Sequence, residues 1–167
     1  MFKLNILYFI IISLISFNKA YSQQGSQLKN KIVGNWYYLS DVYEIPEIKD
    51  YNEIYFDENK VQEYLEAAGL VYPSEYKIEG DSLLIKRKND FLFSGRFESI
   101  SKNQFILIKN GFKRIFYKVK SQITLERVIK NEIDIKDYSK AEFKRMTKVK
   151  KKFNITPTGE YYLRNKK

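Results

Sequence analysis

The sequence predicts an all-β protein, an up-and-down antiparallel barrel of eight strands with an α-helix at its C-terminal end. Three observations carry this. Between Val33 and Lys120, apolar and polar residues alternate in eight short runs, the period of strands with one buried face. Turn signals separate the runs, and Asn110-Gly111 is the strongest, because a type I′ hairpin turn needs positive φ at both central residues. After the last run, Ser139-Lys140-Ala141-Glu142 has the form of a capping box at the head of a helix.

The chain opens on what reads as an export signal over residues 1–22. Lys3 gives a thin positive region, and Leu4 to Phe17 is mostly apolar but interrupted by Asn5, Ser13 and Ser16, too short to span a bilayer. Ala20-Tyr21-Ser22 places small residues at the −3 and −1 positions of a cleavage site before Gln23. The expected organisation is a signal peptide at 1–22, a barrel domain at 23–137, and a basic helix with a short strand at 138–167. The expected location is secreted or periplasmic. The chain has no cysteine, hence no disulfide and no lipid-modified cysteine anchor. It has no histidine either, which removes Ser-His and Cys-His nucleophile pairs and the usual general base near neutral pH. A non-enzymatic protein is expected.

Charge is unevenly placed. The formal net charge is +10, yet the acidic and basic residues of 23–138 balance. Lys3 and Lys19 supply part of the excess, and the rest lies after Asp137, where Lys140, Lys144, Arg145, Lys148 and Lys150-Lys151-Lys152 cluster. Anion-seeking behaviour is therefore expected of the C-terminal segment rather than of the barrel.

In chain order, residues 23–31 read as a polar lead-in. The eight runs are 33–42, 51–57, 60–66, 73–79, 82–88, 91–100, 104–109 and 112–120. The third has two readings: a helix over Val61 to Ala68 ended by Gly69, or a strand. The tight turn Asp57-Glu58-Asn59-Lys60 after Ile54-Tyr55-Phe56 favours the strand. Segments 43–50 and 67–72 read as long loops at one end, with the tight turns 58–59, 80–81 and 101–103 at the other, which makes a cup. Residues 123–135 alternate weakly, as an extension of the sheet. The helix is expected from Ser139 to about Phe153, burying Phe143, Met146, Val149 and Phe153 and turning Lys144, Arg145, Lys148, Lys151 and Lys152 outward. Tyr161-Tyr162-Leu163 reads as a last short strand.

Gly34-Asn35-Trp36 stands at the head of the first run. Together with the eight-strand order and the long first loop it resembles the lipocalins, over roughly residues 31–120. The resemblance implies a barrel whose glycine lets the chain enter closely and whose Trp36 plugs the closed end. It also implies a basic side chain from the last strand, or just beyond it, stacked on that indole; Lys118 and Arg127 are the candidates. The implied function is capture of a small hydrophobic or amphipathic ligand in the barrel.

Alternation in phase with Trp36 turns Tyr38, Ile54, Phe56, Tyr76, Ile78, Leu83, Ile85, Phe105 and Leu107 inward. These side chains either line a ligand cavity or fill the barrel. The candidate ligand-binding residues are Tyr38, Ile54, Phe56, Tyr76, Ile78, Phe105 and Leu107, with Tyr43 and Tyr72 at a mouth that also carries Ile45, Ile48, Leu70 and Val71. Glu63/Glu66 and Glu44/Glu47 have the spacing of carboxylate pairs but read as solvated surface. Lys148, Lys151 and Lys152 are the candidates for an anionic surface of lipid headgroups or lipopolysaccharide; the plain alternative is a solvated helix face. No nucleic acid, metal or cofactor is expected, and the expected state is a monomer.

Overall fold

The computed structural model describes residues 25–42 and 45–155. The expected signal peptide and its cleavage site, Tyr43, Glu44 and the expected strand at Tyr161-Tyr162-Leu163 lie outside the described residues.

Strand β1 (Gly34–Val42) pairs with β2 (Ile45–Phe56), and β2 pairs with β3 (Lys60–Leu65). A two-residue strand, β4 (Gly69–Leu70), lies against β3, which also pairs with β5 (Ser74–Glu79). The meander continues through β6 (Ser82–Arg87), β7 (Asp90–Ile100), β8 (Gln104–Lys109) and β9 (Phe112–Lys118). Strand β9 returns to β1 with Trp36 opposite Lys118, and the eight long strands close into an antiparallel barrel. Closure leaves these strands with no free edge. The third run is a strand, as the tight turn before it implied, and Gly69 takes positive φ where the chain leaves the following turn and enters β4.

Alternation sorts the walls. Tyr38, Ile54, Phe56, Tyr76, Leu83, Ile85, Phe105 and Leu107 are buried in one interior cluster with Trp36, Phe97 and Phe116, and Ile78 packs against it. A second, smaller cluster lies outside the wall, where Tyr55, Leu125 and Tyr138 are buried together.

Five local readings are corrected. Residues 25–32 form a helix, α1, rather than a polar lead-in: Leu28 packs on the interior cluster and Ile32 is fully buried in it. The pair lies four residues apart on one helix face, a signal too short to stand out among the polar residues around it. The long first loop at 43–50 does not exist, because β2 begins at Ile45. The β1–β2 ladder continues to Asp41 opposite Lys49, where the two side chains form an ion pair at 2.5 Å, and then bulges before Val42.

The stretch 123–135 does not extend the sheet. It holds a short helix, α2 (Leu125–Ile129), seated by the fully buried Leu125. The C-terminal helix, α3, spans Ile135–Lys152 and is capped by Asp134, whose carboxylate accepts the backbone N–H of Lys136 at 2.7 Å. Ser139 is thus inside the helix, with its hydroxyl on the Ile135 carbonyl at 2.8 Å.

The fifth correction is the face α3 buries. Tyr138, Glu142 and Lys150 are buried and Arg145 is half-buried, whereas Phe143 is 61 % exposed and Phe153 38 %. The apolar stripe loses because the barrel wall opposite this helix presents carboxylates. Arg145 forms two hydrogen bonds to Glu53, at 2.7 and 3.0 Å, and Lys150 reaches Glu66 at 2.5 Å.

Candidate functional site: a cup with a charged mouth

The base of the barrel is set by the Gly-x-Trp segment. Trp36 is 1 % exposed and its indole N–H donates to the Ile32 carbonyl of α1 at 2.6 Å. The Lys118 ammonium lies 4.3 Å from the ring centroid and donates to the Val33 carbonyl at 3.1 Å. Burial holds the Lys118 amine below the usual lysine range. Of the two candidates for this stacking, Lys118 is the one that makes it; Arg127 bonds Glu132 and the Gln122 carbonyl instead. Gly34 has φ +119°, a backbone conformation that calls for glycine, and a Cβ there would displace the Lys118 ammonium from its place beside the indole.

Above the indole the barrel is filled by rings. Phe105 meets Trp36 edge-on at 4.8 Å and stacks on Phe116 at 4.3 Å, and Phe56 meets Tyr76 edge-on at 5.2 Å. The Tyr76 hydroxyl donates to the Asp57 carbonyl at 2.6 Å, which ties it to the closed-end turn.

The other half is open. A cavity of about 590 Å³ sits above the rings, floored by Ile54, Phe56, Leu83, Ile85, Leu107 and Phe116. The volume lies inside the roughly 300–1,000 Å³ range of small-molecule sites. The two readings of the interior are thus both partly right, since one end is filled and the other hollow. Of the expected ligand-binding residues, Ile54, Phe56 and Leu107 face the cavity. Tyr38 reaches it through a partner, while Tyr76, Ile78 and Phe105 are not among its lining. Tyr72 is 92 % exposed and lines nothing, and Leu70 is 43 % exposed. Both sit on the segment that carries the two-residue β4, beside the wall rather than over the mouth.

The mouth is where reading the sequence for apolar lining residues fell short. Glu63, Arg87, Lys109 and Arg114 line the cavity. The alternation already placed them there: Glu63 follows Val61, Arg87 follows Ile85, Lys109 follows Leu107, and Arg114 is in phase with Phe116. The Tyr38 hydroxyl donates to Glu63 at 2.8 Å. Burial, and then the Glu63 charge, push the Tyr38 phenol well above its usual range, so it stays a neutral donor. Arg114 lies over the Tyr38 ring, 5.0 Å from its centroid, and Arg87 approaches Glu63 at 3.7 Å.

Glu63 and Glu66 are therefore neither solvated surface nor a working pair. They are on opposite sides of the wall, Glu63 in the cup and Glu66 under α3, where it also accepts the Tyr51 N–H at 2.6 Å. Lys148, Lys151 and Lys152 are exposed on α3. Among the described residues there is no cluster of three or more potential metal ligands, and no helix is long and apolar enough to cross a membrane.

Comparison with protein-family models, with curated proteins and with solved structures finds no match to this chain. The functional reading therefore rests on the geometry of the cup.

Proposed function

We propose that this is an exported, lipocalin-like binding protein that takes a small hydrophobic or amphipathic molecule into its barrel and performs no catalysis. The observation that carries the reading is the cavity of about 590 Å³ over an apolar floor, open at one end. Capture works by desolvation: apolar area leaves water for a preformed pocket, at roughly 25 cal/mol per Å² before ordering costs. The lipocalin likeness is supported by closure of eight antiparallel strands and by the Gly34, Trp36 and Lys118 arrangement at the base. The absent long first loop counts against it. Export is supported by the sequence of residues 1–22 alone; N-terminal analysis of the mature protein should begin at Gln23. The protein is proposed to act as a monomer without a cofactor and without binding nucleic acid.

The direct test is mass spectrometry of organic extracts from protein purified from its native host. A co-purifying amphiphile near one per chain supports the reading. Protein that carries nothing and binds no apolar probe sinks it.

A second reading has its own observation. Lys148, Lys151 and Lys152 are exposed, and none of them is in an ion pair among the described residues. In this reading α3 attaches the protein to anionic envelope components such as lipid headgroups or lipopolysaccharide.

A further inference from the structure

We infer that the cup selects for an anionic headgroup: its ligand is a single-chain amphiphile whose carboxylate or phosphate sits at the mouth against Arg114 and Lys109. The inference rests on the cavity-binding reading above and adds the chemical class of the ligand.

The argument is a charge count around the rim. Among the described residues, six charged ones line the cavity: Asp41, Glu63, Arg87, Lys109, Lys113 and Arg114. Asp41 is paired with Lys49, Glu63 with Arg87, and Lys113 with Glu98. The two carboxylates among these six, Asp41 and Glu63, are thus matched. Arg114 and Lys109 are in no ion pair among the described residues. The Arg114 guanidinium has no hydrogen-bond partner there either, and Lys109 spends one of its three donors on the Phe93 carbonyl at 2.9 Å.

Position agrees with charge. Arg114 is opposite Leu107 in the β8–β9 ladder, and Lys109 ends the same inward row as Phe105 and Leu107. Both cations therefore stand directly above the apolar floor. The Arg114 guanidinium lies over the Tyr38 ring, 5.0 Å from its centroid, and Tyr38 is fixed by its bond to Glu63. A guanidinium held over a ring by its charge, with no N–H spent on a described residue, keeps its fork for a carboxylate or phosphate, which it can bind bidentately. A ligand tail that filled the cavity would leave its head at this height. A neutral head would leave the fork to water and gain no ion pair. A cationic head would meet two like charges.

The test holds the tail constant and varies the head: dodecanoate, dodecyl phosphate, dodecanol and dodecyltrimethylammonium, by calorimetry below micellar concentrations. The two anions are expected to bind roughly tenfold or more tighter than the alcohol, as a charge-assisted hydrogen bond allows. The cation is expected to bind most weakly, and salt should reduce that spread. In Arg114→Gln, and in Lys109→Gln, the advantage of dodecanoate over dodecanol should shrink. In Glu63→Gln, which keeps an acceptor for Tyr38, it should grow. A melting temperature unchanged in each variant shows that the fold is intact. Equal binding of dodecanoate and dodecanol, or an advantage that survives both Arg114→Gln and Lys109→Gln, overturns the headgroup assignment and leaves the cup standing. Failure of all four probes to bind overturns the cup itself. The relative strength of carboxylate and phosphate tells which anion the mouth prefers.

Discussion

Arg145 on α3 grips Glu53 on β2 from outside the barrel, with its Nε at 2.7 Å from one carboxylate oxygen and an Nη at 3.0 Å from the other. Glu53 is 1 % exposed, and the hydroxyls of Tyr51 and Tyr138 complete its shell at 2.6 and 2.9 Å. Burial acts to lower the Arg145 pKa, but the bonds and charge of Glu53 prevail and hold it above the usual arginine value. A polar lock of this kind fixes where the helix docks more than it adds stability, because two charges were taken out of water to form it.

Breaking the lock from one side is therefore expected to be worse than removing it. Arg145→Met should cost about 3–5 kcal/mol, since it strands a buried carboxylate. Glu53→Leu with Arg145→Met should recover much of that loss. Urea unfolding of the two single variants and the double variant measures the coupling. Single-variant losses within about 1 kcal/mol of wild type would mean that the pair is solvated in solution.

Glu142 sits beside this lock with one carboxylate oxygen buried and without a hydrogen-bond partner among the described residues. Burial first, and then the charges of Glu53 and Glu66 against those of Arg145 and Lys150, raise its pKa from 4.5 to about 7. The native state then binds more protons than the unfolded chain between those two values, so stability falls as pH rises through that window. Glu142→Gln should be nearly neutral at pH 4. Near pH 8 it should stabilise by about 1–3 kcal/mol. Parallel denaturation series of variant and wild type test this, and a pH-independent difference would show that Glu142 does not titrate against folding.

The barrel was legible in the sequence because its rule is local. Two-residue alternation and turn residues sit next to each other in the chain, and they placed the interior residues from Tyr38 to Leu107 on the correct face. The outer face was not legible. Hydrophobic periodicity assumes that a helix buries its most apolar stripe, and α3 instead buries Tyr138, Glu142, Arg145 and Lys150 because Glu53 and Glu66 wait on the wall. Those partners lie 92 and 84 residues away from Arg145 and Lys150, beyond any window. The mouth is a different case: the same period turns Arg87, Lys109 and Arg114 inward, and a reading that follows only apolar and tyrosine positions passes over them.

The base of the barrel makes a prediction about two residues that share one space. Trp36→Ala should cost about 3–5 kcal/mol as a large core truncation. Gly34→Ala should also destabilise, through φ +119° and through the collision with Lys118. In a Lys118→Ala background the collision is gone and only the backbone strain remains, so Gly34→Ala should cost less there. Thermal melts of the four proteins of that cycle decide the point. Additive losses would place the Lys118 ammonium away from Gly34 in solution.

The lysine face of α3 can now be separated from its buried face, which the sequence had confused. Lys150 is 2 % exposed and bound to Glu66, so it belongs to the docking of the helix and must be left alone in any surface test. Lys148, Lys151 and Lys152 are exposed, and replacing all three with Gln should leave the fold and the polar lock intact. If the face attaches the protein to anionic surfaces, wild type should co-sediment with anionic vesicles at low ionic strength. That binding should fade as the screening length shrinks to ~8 Å near physiological salt. The triple variant should stay in solution throughout. A fourth protein, Arg114→Gln, guards against confusion with the cup: it should sediment like wild type, because its cation is at the barrel mouth rather than on the helix. Equal sedimentation of wild type and triple variant would reduce the exposed lysines to a solvated cover, and the cup would remain as the site of function.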